Sequence, residues 1–219
     1  GVNAKVVVSE LRLGGSRLGG GSAEEPLLSI VASLLGSLDT IRVLDLSDNA
    51  FQGGIGAGFG PVGCGPSSII QEINLSFNNL SGILPQDMSF QCGTLSKLDL
   101  SHNRLTGALP SGANGGSSSS SSGFLTDLNL SYNSLSGEIP EESGLFFGSS
   151  PNLKSLDLSA NHLSGTLPDS IFTQHCGNGL EYLDLSSNEL SGPIPPSLLQ
   201  KCTSLQYLNL SNNNIGGRF

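Results

Sequence analysis

Apolar residues recur along this chain in one fixed grammar. Segments beginning at Leu44 (LDLSDNAFQGGI), Ile73 (INLSFNNLSGILP), Leu98 (LDLSHNRLTGALP), Leu128 (LNLSYNSLSGEIP), Leu156 (LDLSANHLSGTLP), Leu183 (LDLSSNELSGPIP) and Leu208 (LNLSNNNIGGRF) are copies of one another. A degenerate first copy, LRLGGSRLGGG, begins at Leu11. The starts lie 33, 29, 25, 30, 28, 27 and 25 residues apart, a period that marks stacked repeats rather than independent domains.

Written as L-x-x-L-x-L-x-x-N-x-L-x-G-x-L-P, with positions numbered 1 to 16, the repeat predicts its own folding. Alternation around positions 4 and 6 marks a short strand with leucines turned inward. Equivalent strands of successive repeats then lie side by side in a parallel sheet at about 4.8 Å spacing. Positions 1, 4, 6, 11 and 15 fill one continuous core that no single repeat could bury alone. The amide of Asn at position 9 (Asn49, Asn78, Asn103, Asn133, Asn161, Asn188 and Asn213) can donate and accept, satisfying backbone groups where the strand turns away.

The tail L-S-G-x-I-P, as in Leu135–Pro140 and Leu190–Pro195, is more specific than the general repeat. It resembles the plant-specific class of leucine-rich repeats found in receptor-like kinases, receptor-like proteins and polygalacturonase-inhibiting proteins, and the resemblance covers essentially all of residues 6–219. It implies an α/β leucine-rich-repeat solenoid, a right-handed horseshoe with a parallel concave β-sheet and short helices or loops on the convex side. The expected organisation is a single domain over residues 1–219, of about eight repeats and uncapped at both ends, as in a fragment of a longer ectodomain.

Between repeats, Ser22-Ala23-Glu24-Glu25 reads as a capping box. Leu27, Leu28, Val31, Leu34, Leu35 and Leu38 follow at helical spacing, predicting an amphipathic helix on the convex face. Shorter helical turns are expected at 169–172 and 195–199. Gly53–Gly65 and Ser111–Gly123 read as flexible loops. Cys92 and Cys202 suit buried reduced thiols, while pairing of Cys64 with Cys92 or of Cys176 with Cys202 would bridge adjacent repeats and stays open. No C-x-x-C pair suggests zinc.

The net charge of −9 excludes a nucleic-acid partner, whose phosphates demand a surplus of Lys and Arg. No segment approaches the ~20 apolar residues of a membrane span, so any membrane attachment would come through a segment outside this sequence. The formal dinucleotide motif Gly58-Phe59-Gly60-Pro61-Val62-Gly63 lacks a helix start, and no cofactor is expected. Asp99, Ser101 and His102 invite a triad reading. Yet Asp and Ser recur at positions 5 and 7 of most repeats, so repeat architecture already accounts for them and no catalytic residue is assigned. His102 and His162 stand two repeats apart, too far to share a metal, and no metal site is expected.

What escapes the repeat pattern can read a partner. Strand alternation turns positions 3, 5 and 7 to the concave side, with 8 and 10 at its margin and the recurrent Ser of position 7 a low polar floor. Phe77, His102 and Tyr132 occupy consecutive repeats, with Lys97 and Arg104 on the middle one, and Tyr182 and Tyr207 are neighbours at position 3. Exposed aromatics beside Arg form the composition of interaction hot spots, so these seven residues are the candidate ligand-binding surface. Four N-x-S sequons, at Asn74, Asn79, Asn129 and Asn209, are candidate glycosylation sites.

The leading functional reading is non-catalytic recognition. The resemblance implies the extracellular ligand-binding region of a plant cell-surface receptor, taking a peptide, protein or small-molecule ligand on the concave face and a co-receptor beside it. The alternative is a secreted inhibitor of a cell-wall-degrading enzyme, and a third reading is a structural wall protein.

Overall fold

In the computed structural model, the described residues are 9–16, 40–55, 69–84, 94–110, 125–140, 152–176 and 179–217. Position 3 to 5 segments form one parallel sheet of eight three-residue strands: Glu10–Arg12, Val43–Asp45, Glu72–Asn74, Lys97–Asp99, Asp127–Asn129, Ser155–Asp157, Tyr182–Asp184 and Tyr207–Asn209. Register is strict, with Leu98 opposite Leu128 and Leu128 opposite Leu156.

A second sheet was not foreseen. Residues at positions 10 to 14 also pair with their counterparts, giving seven further parallel strands: Gln52–Gly54, Asn79–Ile83, Arg104–Gly107, Ser134–Glu138, His162–Thr166, Glu189–Gly192 and Asn214–Ile215. Among the described residues, helix is confined to one segment over 169–176, whose centre is the π-helical turn Ile171–His175, and an α-helix, Ser197–Lys201. The expected horseshoe with helices along its convex side is therefore corrected to a parallel β-solenoid with two alternating sheets and almost no helix. The L-S-G-x tail is extended and presents its backbone groups to both neighbouring repeats, so it pairs instead of coiling. Gly53 and Gly54, read as the start of a loop, belong to this second sheet. The expected helix over 22–38 and the serine-rich loop 111–123 lie outside the described residues.

The core is one cluster running the length of the stack. Leu44, Ile73, Leu98, Leu128, Leu156 and Leu183 are each at most 2% exposed, and Phe172 of the π-helical turn is wholly buried. Each such side chain contributes roughly 1.5–3 kcal/mol on removal from water.

Backbone groups at the bend between sheets are satisfied by the asparagine ladder. The amide nitrogen of Asn161 donates to the carbonyls of Leu130 (3.0 Å), Leu158 (3.1 Å) and Ser159 (3.1 Å). Its oxygen accepts from the N–H of Leu135 at 3.0 Å. Two of these four bonds reach the preceding repeat, so the residue is both a turn stabiliser and an inter-repeat tie.

Just before that asparagine, position 8 takes a left-handed conformation in seven repeats, with φ between 50° and 55° at Asp48, Phe77, His102, Tyr132, Ala160, Ser187 and Asn212. Ordinary side chains pay about 1–2 kcal/mol to sit there. The turn enforces it because consecutive N–H groups must both reach the next repeat, as His102 and Asn103 do toward Ser131 and Tyr132. The glycine of position 13 answers a second such demand. Gly165 has φ 79°, and a Cβ there would stand 2.7 Å from Cγ of Glu138.

Cys176 and Cys202 form a disulfide between the two helical segments, which overturns the expected reduced thiol at Cys202. The π-helical turn and the helix Ser197–Lys201 of successive repeats pack against each other, which brings the two cysteines together. Cys64 and Cys92 lie outside the described residues.

Candidate functional site

The outward face of the eight-stranded sheet carries the variable side chains of positions 3 and 5. Across it runs an open trough of about 440 Å³, lined from Arg12 and Val43 at one end to Ser155, Asp157 and Tyr182 at the other.

Position 5 is tied down locally. Asp157 Oδ1 accepts from the Ser159 N–H at 2.9 Å and from its Oγ at 2.6 Å. Asn129 does the same with Ser131, at 3.0 and 2.8 Å. Five of the position 7 serines, Ser76, Ser101, Ser131, Ser159 and Ser186, are buried, whereas Ser47 is half-buried and Ser211 exposed, so in the middle of the stack position 7 does not form the polar floor that alternation suggested. Asp99 accepts from the Ser101 N–H in the same way, while His102 stacks elsewhere, so the apparent triad is a turn motif beside a surface aromatic. The alternation of Asp and Asn along this column also has a physical role. Asn129 donates to Asp99 Oδ2 at 3.4 Å and Asn209 to Asp184 Oδ2 at 3.1 Å, replacing repulsion with a hydrogen bond.

Where two carboxylates do adjoin, the strain shows. Asp157 stands opposite Asp184 in register, and burial, opposed by the Ser159 bonds but reinforced by Asp184 and Asp99, pushes its carboxyl above the ordinary 3.8. The native state therefore binds this proton more tightly than the unfolded chain, so stability falls as pH rises through the raised pKa. Asn already occupies this position in three repeats with the same serine bonds. Asp157→Asn is accordingly expected to raise the thermal midpoint at pH 7, with the gain vanishing below pH 3.8. Melting curves across that range check it.

The candidate ligand residues divide into groups. Phe77, His102 and Tyr132 form one continuous stack, with ring centroids 4.0 and 4.2 Å apart and planes within 11°. Their shared left-handed backbone projects each ring at the same angle, one repeat apart. Phe77 and Tyr132 remain more than half exposed. Tyr182 and Tyr207 form a second stack, 4.4 Å apart with planes within 4°. The Tyr207 hydroxyl donates to Asp184 Oδ2 at 3.3 Å. Burial first, then Asp157 and Asp184, pushes the Tyr182 hydroxyl up to about 12. Lys97 belongs to the trough but pairs with Glu72 at 3.4 Å. Arg104 is set apart from it, opening a strand of the second sheet.

The sequons divide too. Asn74, Asn129 and Asn209 face the trough side at position 5, each already bonded to the serine of its own sequon. Asn79 opens a strand of the second sheet. Sequence reasoning missed the Asx-type bond between positions 5 and 7, although the D-x-S and N-x-S spacing is its signal.

Comparison with known proteins gives the arrangement a context. Two family models, both described as leucine-rich repeat, match residues 151–215 and residues 70–90, 94–115 and 124–145, together more than half of the chain. A brassinosteroid LRR receptor kinase, BRL3, of Oryza sativa subsp. japonica is 38% identical over 71 residues, 32% of this chain and 6% of that protein. The plant peptide hormone receptor RGFR1, solved in complex with RGF2, is 34% identical with a TM-score of 0.67, over 84% of this chain and 26% of that one. The Arabidopsis receptor kinase HAESA, solved with the peptide hormone IDA and the co-receptor SERK1, is 32% identical with a TM-score of 0.57, over 85% of this chain and 32% of that one. The chain thus spans less than a third of the length of each of these relatives.

Proposed function

We propose, on the premise that this chain belongs to the leucine-rich-repeat family and is homologous to the ectodomains of plant receptor-like kinases, that it is a non-catalytic peptide- or protein-recognition domain. It works outside the cell, as an ectodomain at the plasma membrane, with its repeats acting as one unit. The observation that carries this reading is the presentation of stacked aromatics beside an open trough: Tyr182 lines the trough and stacks on Tyr207 of the next strand, while Phe77, His102 and Tyr132 form a second stack in the turns that follow their strands of the eight-stranded sheet. Rigid aromatics displayed on a preorganised scaffold lose little entropy on binding, which makes them effective anchors. The relatives RGFR1 and HAESA are solved with peptide hormones, and HAESA with a co-receptor as well. A peptide along the trough and a co-receptor beside it is the corresponding arrangement here. Of the sequons, Asn74 and Asn129 line the trough itself, so peptide capture is expected only from chains that carry no glycan at either.

Secretion of the full chain from a eukaryotic host, with glycan mapping, followed by selection from a displayed library of short peptides, tests this. Selected peptides are expected to lose about tenfold in affinity on substitution of His102 or Tyr182 by Ala, the scale of a hot-spot residue. Selected binding that is undiminished in the Lys97, His102, Arg104 and Tyr182 variants alike would place recognition elsewhere.

A further inference from the structure

The trough ends in a notch whose walls have complementary chemistry. Asp127, Ser155 and Tyr182 are consecutive at position 3 of adjoining strands, in direct register. The middle residue is small, so Asp127 and Tyr182 stand two strand spacings apart, about 10 Å, with nothing larger than a serine between them. One face of the Tyr182 ring is covered by Tyr207 in a near-parallel stack. The stack runs along the strand-to-strand direction, so the other face looks back over Ser155. Two residues beyond Ser155 on the same strand, and therefore on the same side of the sheet, Asp157 stands beside it, about 7 Å along the strand. All four residues, Asp127, Ser155, Asp157 and Tyr182, line the trough.

The charge around the notch is one-sided. The trough lining holds two cations and five carboxylates. Both cations are spent: Arg12 pairs with Asp45 at 3.8 Å and Lys97 with Glu72 at 3.4 Å. Asp99, Asp127 and Asp157 have no ion-pair partner among the described residues. Among the described residues the Asp157 carboxylate is held by hydrogen bonds from Ser159, and burial already works against its charge.

We infer that this notch is a receptor for an arginine side chain of an extended peptide lying in the trough. A guanidinium centred over Ser155 lies about 5 Å from the Tyr182 ring, within the ~6 Å reach of a cation–π contact, and its planar fork matches a carboxylate. Asp127 meets it from one wall and Asp157 from the side along the strand. Tyr207 supports the arrangement indirectly, since its hydroxyl bond to Asp184 holds the ring against which Tyr182 stacks. The inference rests on the reading of this sheet face as the ligand surface and specifies the chemistry that one end of it takes.

Titration of the secreted full chain with N-acetyl-arginine methylamide, followed by NMR of the Tyr182 ring, tests it. The ring signals are expected to shift saturably in the millimolar range, with the uncharged citrulline analogue weaker by about fivefold or more. Asp127→Asn and Ser155→Phe are each expected to weaken the arginine probe by about fivefold. The first removes a wall charge, and the second fills the notch with an aromatic of the kind this column already carries at Tyr182 and Tyr207. Glu138→Gln, on the second sheet, controls for general attraction to an acidic chain and is expected to change nothing. Equal affinity for citrulline, unaltered binding by both notch variants, or an unshifted Tyr182 ring would each overturn the arginine notch. Library-selected peptides that still depended on His102 or Tyr182 would leave the broader recognition reading standing in that case, whereas their independence of both would remove that reading by itself.

Discussion

Replacing Asn161 with Ala is expected to destabilise the solenoid by roughly 3–5 kcal/mol. The residue is only 6% exposed, and its side chain satisfies three carbonyls and one N–H, none of which regains water when the amide is removed. Asn161→Asp separates hydrogen bonding from size. It keeps the acceptor for Leu135 but turns a carboxylate toward the carbonyls of Leu130, Leu158 and Ser159, so it is expected to be at least as damaging at neutral pH. Because two of the bonds cross to the preceding repeat, the loss falls on the interface between the Leu128 and Leu156 repeats. A solenoid is stabilised by such nearest-neighbour terms, and denaturation is expected to split into two steps at that boundary. The control is Ser187→Ala, at an exposed position 8 whose left-handed backbone already carries an ordinary side chain, where the midpoint should move little. A midpoint unchanged by Asn161→Ala would show that the ladder does not bear the turn.

Removing the disulfide is the second large change. Cys176 and Cys202 lie 26 residues apart, and loop closure of that length restricts the unfolded chain by roughly 3–4 kcal/mol. The bond joins the π-helical turn Ile171–His175 to the helix Ser197–Lys201, so it clamps the last three repeats where helix interrupts the stack. The double variant Cys176→Ala with Cys202→Ala is expected to lose amide protection first across 179–217, with the centre of the stack, 94–110 and 125–140, keeping its protection. Hydrogen exchange resolved along the chain checks the pattern. Uniform loss throughout would mean that the solenoid unfolds as a single cooperative unit, and no loss would mean that the bond is dispensable. Such a bond forms and persists in oxidising surroundings, which accords with a domain that works outside the cell.

Much of this molecule can be read from its letters because the repeat states the same local rule eight times. Strand, inward leucine and turn asparagine follow from alternation and from the need to satisfy buried amides, and both arise within a few residues of sequence. Leu98, Leu128 and Leu156 therefore lie on adjoining strands as their spacing implied. The adjacency of Phe77, His102 and Tyr132 was equally legible, since equal position in consecutive repeats means neighbouring rungs.

Other features depended on what neighbouring repeats do for each other. The L-S-G-x tail has no strong preference of its own, and only the availability of an identical tail on either side turned it into the second sheet, leaving Arg104 there and apart from the trough. Alternation turned the position 7 serines toward the concave side, but the serines inside the stack, such as Ser131 and Ser159, are bonded to position 5 and buried, while Ser211 in the last repeat makes the same bond and stays exposed. The three rings stack because a left-handed turn, enforced by inter-repeat hydrogen bonds, gives each the same direction. Whether Cys202 was a thiol or a disulfide depended on the meeting of two helical segments 26 residues apart. Lys97 likewise had a charge in the sequence and lost its freedom to Glu72 in the structure. The sequence by itself determined which residues share a column, because the repeat period is a local property. The tertiary structure decided which way each column faces and which charges remain unpaired, because both are set by contacts between repeats.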